Sequence, residues 1–145
     1  IVAEPYYEVL EGWHLQESLN FFYILRSLKE RGVVSANARS VPASASIMVC
    51  AFESQDIGRA YAHCDSTLCG FQHDVINAHA PLYDHDICIP AWQYDITPLT
   101  KAMAVATIDY HTCEIIQEGT TPLHVVPLTK SGTCHGMLMW IDYGI

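Results

Sequence analysis

Ser46-Ile47-Met48-Val49-Cys50-Ala51-Phe52-Glu53 sets an unbroken apolar run between a serine and a glutamate. The run has the length of a strand rather than a helix, with β-branched and aromatic members, so it reads as a strand buried on at least one face. Residues 102–109, 123–128 and 135–143 repeat its texture. Gly119 and Lys130-Ser131-Gly132 fall between them as turn signals. Short strands punctuated in this way predict an antiparallel sandwich or barrel.

Upstream of that strand the period changes. Leu15, Leu19, Phe22, Tyr23 and Leu28 follow helical spacing, which predicts a helix over 15–30. Lys29 and Arg31 in its last turn, with Gly32 beyond, are the expected way to end it. Residues 33–46 are rich in Ser, Ala and Asn and are expected to form a loop or an irregular first strand. Ile1-Val2-Ala3 reads as the end of a buried strand, and Pro5 biases Glu4 toward an extended conformation. The chain is therefore expected to be a piece of a longer one.

Downstream, a long excursion over 54–100 separates the first two strands. A plausible helix over 71–79 and a proline-flanked segment over 81–98 lie within it. Excursions this long inside a compact domain carry structure of their own or serve a function.

Composition narrows the function classes. Half the residues are apolar and 16% are charged, which excludes a disordered tail. No apolar run approaches the ~20 residues that span a bilayer as a helix. The net charge is −9, and Arg26, Lys29, Arg31, Arg39, Arg59, Lys101 and Lys130 are dispersed. Direct nucleic-acid binding is disfavoured, because it draws on clustered cations that displace counterions. An acidic surface suits a basic protein tail by electrostatic steering, although it also suits an ordinary solvated surface. Cys50, Cys64, Cys69, Cys88, Cys113 and Cys134 read as reduced thiols, since a chain this long does not need disulfide staples.

A series of short motifs carries a family resemblance. Ala3-Glu4-Pro5-Tyr6-Tyr7 is followed by Trp13-His14 and by Leu19-Asn20-Phe21-Phe22-Tyr23. Then come Pro42 and the strand ending at Glu53, Cys69-Gly70-Phe71, Pro90-Ala91-Trp92-Gln93-Tyr94, and His135-Gly136 through Trp140 and Tyr143. In this order the motifs resemble the protein arginine methyltransferases, and most of all the second module of the two-module, type III branch.

The resemblance implies a mainly β chain: an antiparallel barrel or sandwich over 33–145 with a helical dimerisation-type arm inserted at about 71–90. Residues 1–32 would be the C-terminal remnant of a truncated Rossmann-like, methyl-donor-binding domain. In that family two glutamates grip the substrate guanidinium, a planar cation best fixed by paired carboxylate hydrogen bonds. Glu4 matches the first by its place at a strand end. The second is less direct: Trp13 stands at its usual place, and Glu17, within Gln16-Glu17-Ser18-Leu19-Asn20, resembles its surroundings. The implied role is that of a module that supports a catalytic partner, acting on arginine-containing, histone-like proteins in cytoplasm and nucleus. S-adenosylmethionine would serve the full-length enzyme, and none is expected on this fragment, because no glycine-rich strand-to-helix turn is present.

Other chemistries are weaker. Cys64 and Cys69 with His63 and His73 form the only local cluster of metal-ligand types, at spacings that structural zinc sites do not favour, so no metal site is expected. His79, His85, His111, His124 and His135 lack ligand pairing. No Gly-x-Ser-x-Gly element is present. Trp92, Tyr94, Trp140 and Tyr143 are expected in the barrel core or rim. Val75, Ile76, Leu82 and Ile87 would form an apolar contact face on the arm, or pack on their own loop. The competing reading is a free-standing antiparallel β domain that binds a protein or zinc.

Overall fold

The computed structural model describes residues 1–3, 14–64, 67–79, 89–117 and 125–145. In chain order the elements are α1 (His14–Glu30), β1 (Ser44–Glu53), α2 (Gln55–Ala60), β2 (Thr67–Leu68), β3 (Phe71–Gln72) and α3 (Asp74–Ala78). A 3-10 turn (Ala91–Gln93) follows, then β4 (Thr97–Pro98), β5 (Met103–Asp109), β6 (Glu114–Gln117) and β7 (Gly136–Gly144).

The fold is mainly antiparallel β, and β1 is its spine. The strand anticipated over 46–53 begins two residues earlier, at Ser44. β7 pairs with it from Ser44↔Gly144 to Phe52↔Gly136. β5 pairs along Ser44–Val49 and β4 at Phe52 and Glu53. Phe52 and Ser44 each have a β7 partner too, so β4 and β5 share the edge of β1 opposite β7. Between β4 and β5, Leu99 N–H donates to Ala51 O (2.8 Å) and Ala51 N–H to Thr100 Oγ1 (3.1 Å), which carries the pairing across the gap. Ile47 faces Ala106 while Met48 faces Ala104, leaving Val105 as an extra residue in a β-bulge.

β6 extends the sheet from β5 through a tight turn. The Asp109 carboxylate accepts from His111 N–H (2.7 Å) and Thr112 N–H (2.9 Å), and Cys113 takes the left-handed conformation that lets the chain reverse.

α1 lies across the end of the sheet where β1 begins. Ser18, Phe22 and Leu25, at i, i+4 and i+7, form its buried stripe. Phe22 and Leu25 pack with Ala45 of β1, Ile108 of β5 and Tyr110, with Leu19, Phe21, Val34, Cys113, Ile141 and Tyr143 around them. Tyr23, counted in the apolar row by spacing, is exposed, and Leu25 takes its place in the core. The helix ends as its composition demands: Gly32 is left-handed, its N–H donates to Lys29 O, and Val33 N–H reaches Leu28 O. That pair of bonds is a Schellman motif.

A second buried group, Cys50, Phe52, Ile57 and Leu99, belongs to the other half of the sheet and α2. Ser54 ends β1 and caps α2 by accepting from Ile57 N–H, and its own N–H donates to His135 Nδ1 (3.1 Å). That ring nitrogen is therefore an acceptor, with the proton on Nε2.

Three local expectations change. Within 71–79, Phe71–Gln72 is a strand and only Asp74–Ala78 is helical, because the left-handed pair Cys69-Gly70 closes a two-residue hairpin that pairs β2 with β3. Of 123–128, residues 123–124 lie outside the described residues. Residues 125–127 form no strand, and Leu128 makes only an isolated bridge to Thr100. The start of the chain is not buried here: Val2 pairs with Val41 in a parallel bridge, yet it is 84% exposed. α2 and β6 were not anticipated, and their short sequences lack a full period of either kind.

Among the described residues, the core includes the ionisable side chain of Tyr110. Tyr110 is fully buried, and burial pushes its hydroxyl up from 10.0 to about 12. Between those values the unfolded chain gives up this proton while the folded chain keeps it, so stability falls as pH rises. We expect a loss of at most about 3 kcal/mol from pH 10 to 12, followed by urea unfolding. Tyr110→Phe should remove this contribution to the slope, and an unchanged slope in that variant would contradict the assignment.

Candidate functional site

Two regions hold the residues singled out from the sequence. The first comprises the bridge at Val2 and the start of α1. Glu4 lies outside the described residues. Its neighbour Ala3 donates N–H to Val41 O (3.0 Å), and Val41 N–H donates to Ile1 O (2.9 Å). Glu17 lies in the opening turns of α1. Ser18, next to it, is completely buried, and its Oγ lies 2.6 Å from Tyr143 Oη while Tyr110 Oη donates to its carbonyl (3.4 Å). An isolated bridge to Val41 and a part-buried hydroxyl pair with Tyr143 thus fix Ala3 and Ser18, the sequence neighbours of the two candidate carboxylates. The Glu4 residue and the Glu17 side chain both lie outside what the structure describes.

Ser18 was missed by sequence reasoning, although a signal existed. A serine in register with Phe22 and Leu25 on an apolar stripe must find a partner on burial, or cost stability. The tyrosines that supply those partners sit in two separate strand ends, so pairing them required the fold.

The second region is the excursion. Phe71 (72% exposed), Val75 (71%) and Ile76 (60%) bare their side chains on β3 and α3. Trp92, expected in the core or rim, is also solvent-facing. Leu82 and Ile87 lie outside the described residues. The side chain of Asn77 closes this unit: Oδ1 accepts from Cys64 N–H (3.0 Å) and Nδ2 donates to Cys64 O (2.7 Å). Asn77 too was missed. Its signal is an amide in a short helical segment, where such side chains compete for backbone groups.

Among the described residues, no three His, Cys, Asp or Glu side chains come together as a metal site. His73 Nδ1 is engaged with Phe71 O (2.9 Å), and Cys64 and Cys69 are exposed free thiols. The direct strand-to-helix turn from β1 to α2, Glu53-Ser54-Gln55, does not suit a nucleotide-like methyl donor. It has no glycine, and the Ser54 side chain occupies the helix start.

An open groove of about 950 Å³ runs between α1 and the β5–β6 turn. Phe22, Tyr23 and Ile115 supply its apolar lining; Arg26 is tied to Glu30 (2.9 Å), and Lys29 Nζ donates to His111 O (2.6 Å). Both of these cations are thus already engaged.

A mainly antiparallel β chain is what the motif series led us to expect. The chain is similar in sequence to proteins named as arginine methyltransferases. Along 99% of its length it is similar to protein arginine N-methyltransferase 7 of Danio rerio (27% identical over 153 residues), Xenopus laevis (25% over 154) and Mus musculus (24% over 153). It spans 21% of the length of each of these relatives. No family model matches it.

Proposed function

We propose that this chain is part of a protein arginine N-methyltransferase, contributing the barrel domain (33–145) and the surface by which methyltransferase modules pair. Residues 1–32 are then the end of the methyl-donor domain. The observation that carries the reading is similarity to arginine methyltransferase 7 along nearly the whole chain, joined to an apolar face left open on the arm. The bare Phe71, Val75 and Ile76 side chains fit the contact role, since exposed apolar clusters mark interaction surfaces.

In this reading the chain is a supporting module and is inactive alone. S-adenosylmethionine binds elsewhere in the full-length protein, and its methyl group is transferred to arginine in basic proteins of the histone kind, in cytoplasm and nucleus. The net charge of −9 favours encounter with such substrates. Glu4 and Glu17 are the carboxylates proposed to face a guanidinium, through paired charge-assisted hydrogen bonds.

Calorimetry tests the division of labour. Titrating S-adenosylmethionine into the 145-residue chain should give no heat of binding. Saturable binding with a Kd of about 1 μM, worth roughly 8 kcal/mol, would place a donor site in this chain and overturn the reading.

A further inference from the structure

We infer that Asn77 is a positioning residue for the contact between modules, holding the apolar face of the arm in the shape that docks. The inference rests on the reading of that face given above. Its occupant is a second methyltransferase module: the relatives are chains nearly five times the length matched here, so protein surface is available beyond this segment.

The geometry is specific to this unit. β2 and β3 turn back on each other at the left-handed pair Cys69-Gly70, and α3 follows within two residues. Neither element is long enough to hold itself together. A two-stranded hairpin is marginal in water, and a helix this short lies far below the length at which isolated helices persist.

Among the described side chains of the unit, no apolar one is buried. Phe71, Val75 and Ile76 point to solvent, and α3 contains no buried residue. The Asn77 amide instead treats the backbone of Cys64 as a strand partner would, accepting from its N–H and donating to its C=O. That clamp joins the end of α3 to the chain entering the hairpin, thirteen positions earlier. Phe71 sits between the clamped ends, and Val75 and Ile76 immediately precede Asn77. Aspartate could accept at this position but not donate, and alanine could do neither.

A docked face that needs this clamp predicts coupling between Asn77 and the apolar residues, which a double-mutant cycle measures. The full-length protein is taken through a urea series below the unfolding of its sheets, with separation of modules read from the radius of gyration by X-ray scattering. Asn77→Ala and Val75→Glu should each lower the separation midpoint. In the Val75→Glu background, Asn77→Ala should cost nothing further. For Asn77→Ala the shift should equal about a tenfold weakening of the contact, the scale of two lost hydrogen bonds.

An unchanged midpoint in Asn77→Ala overturns the inference, and so do additive effects, which would mean that Asn77 stabilises something other than the docked face. If Asn77→Ala lowers the midpoint and Val75→Glu does not, the face is not a contact at all. The reading of the arm then fails first and takes this inference with it.

Discussion

Phe22→Ala should detach α1 from the sheet and cost about 3–5 kcal/mol, read as a fall in the urea midpoint. Phe22 is 2% exposed and lies at the centre of the packing that joins helix to strands. Its ring meets Leu25 from the same helix and the Ala45–Ile108–Tyr110 surface from β1, β5 and the turn beyond. Removing it leaves a cavity whose walls are two strands and a helix, elements that relax poorly into lost volume. Such a loss is a large part of the 5–15 kcal/mol that stabilises a typical domain. Phe22→Leu keeps most of the volume and should lose less than half as much. If the alanine variant were as stable as wild type, α1 would not be docked on the sheet as described.

The other large effect is expected on the arm. Val75→Glu with Ile76→Glu in the full-length protein should leave the β1–β5–β7 sheet intact, since both side chains already face water. Assembly should suffer instead. Two carboxylates carried into an apolar contact must be desolvated without a partner, at several kcal/mol each. A catalytic module that loses its support loses the alignment of its reacting groups, and misplacement of that kind costs about a hundredfold in rate.

The sequence exposed the elements whose pattern is local. Residues 46–53 and 135–143 are apolar runs of strand length and became β1 and β7, and the basic turn with Gly32 marked the end of α1. Over 71–79 a left-handed turn at Cys69-Gly70 overrode the local helical reading and made Phe71–Gln72 a strand. Leu128 shows the limit of composition: an apolar run does not make a strand unless a partner edge is offered, and Leu128 finds only Thr100. Of the site, the exposure of Val75 and Ile76 was legible because apolar residues without a stripe to bury them stand out. The Ser18–Tyr143–Tyr110 joint and the Asn77 clamp were not, since each depends on which distant backbone the fold brings alongside.

Methylarginine formed by the full-length protein from S-adenosylmethionine and an arginine-rich peptide, counted by mass spectrometry, is the most direct measurement. The account predicts methylarginine from the wild type, and about a hundredfold less from the Val75→Glu, Ile76→Glu protein with its sheet still folded. A folded wild type that binds the donor yet makes no methylarginine, or a double variant that keeps the full rate, would contradict it.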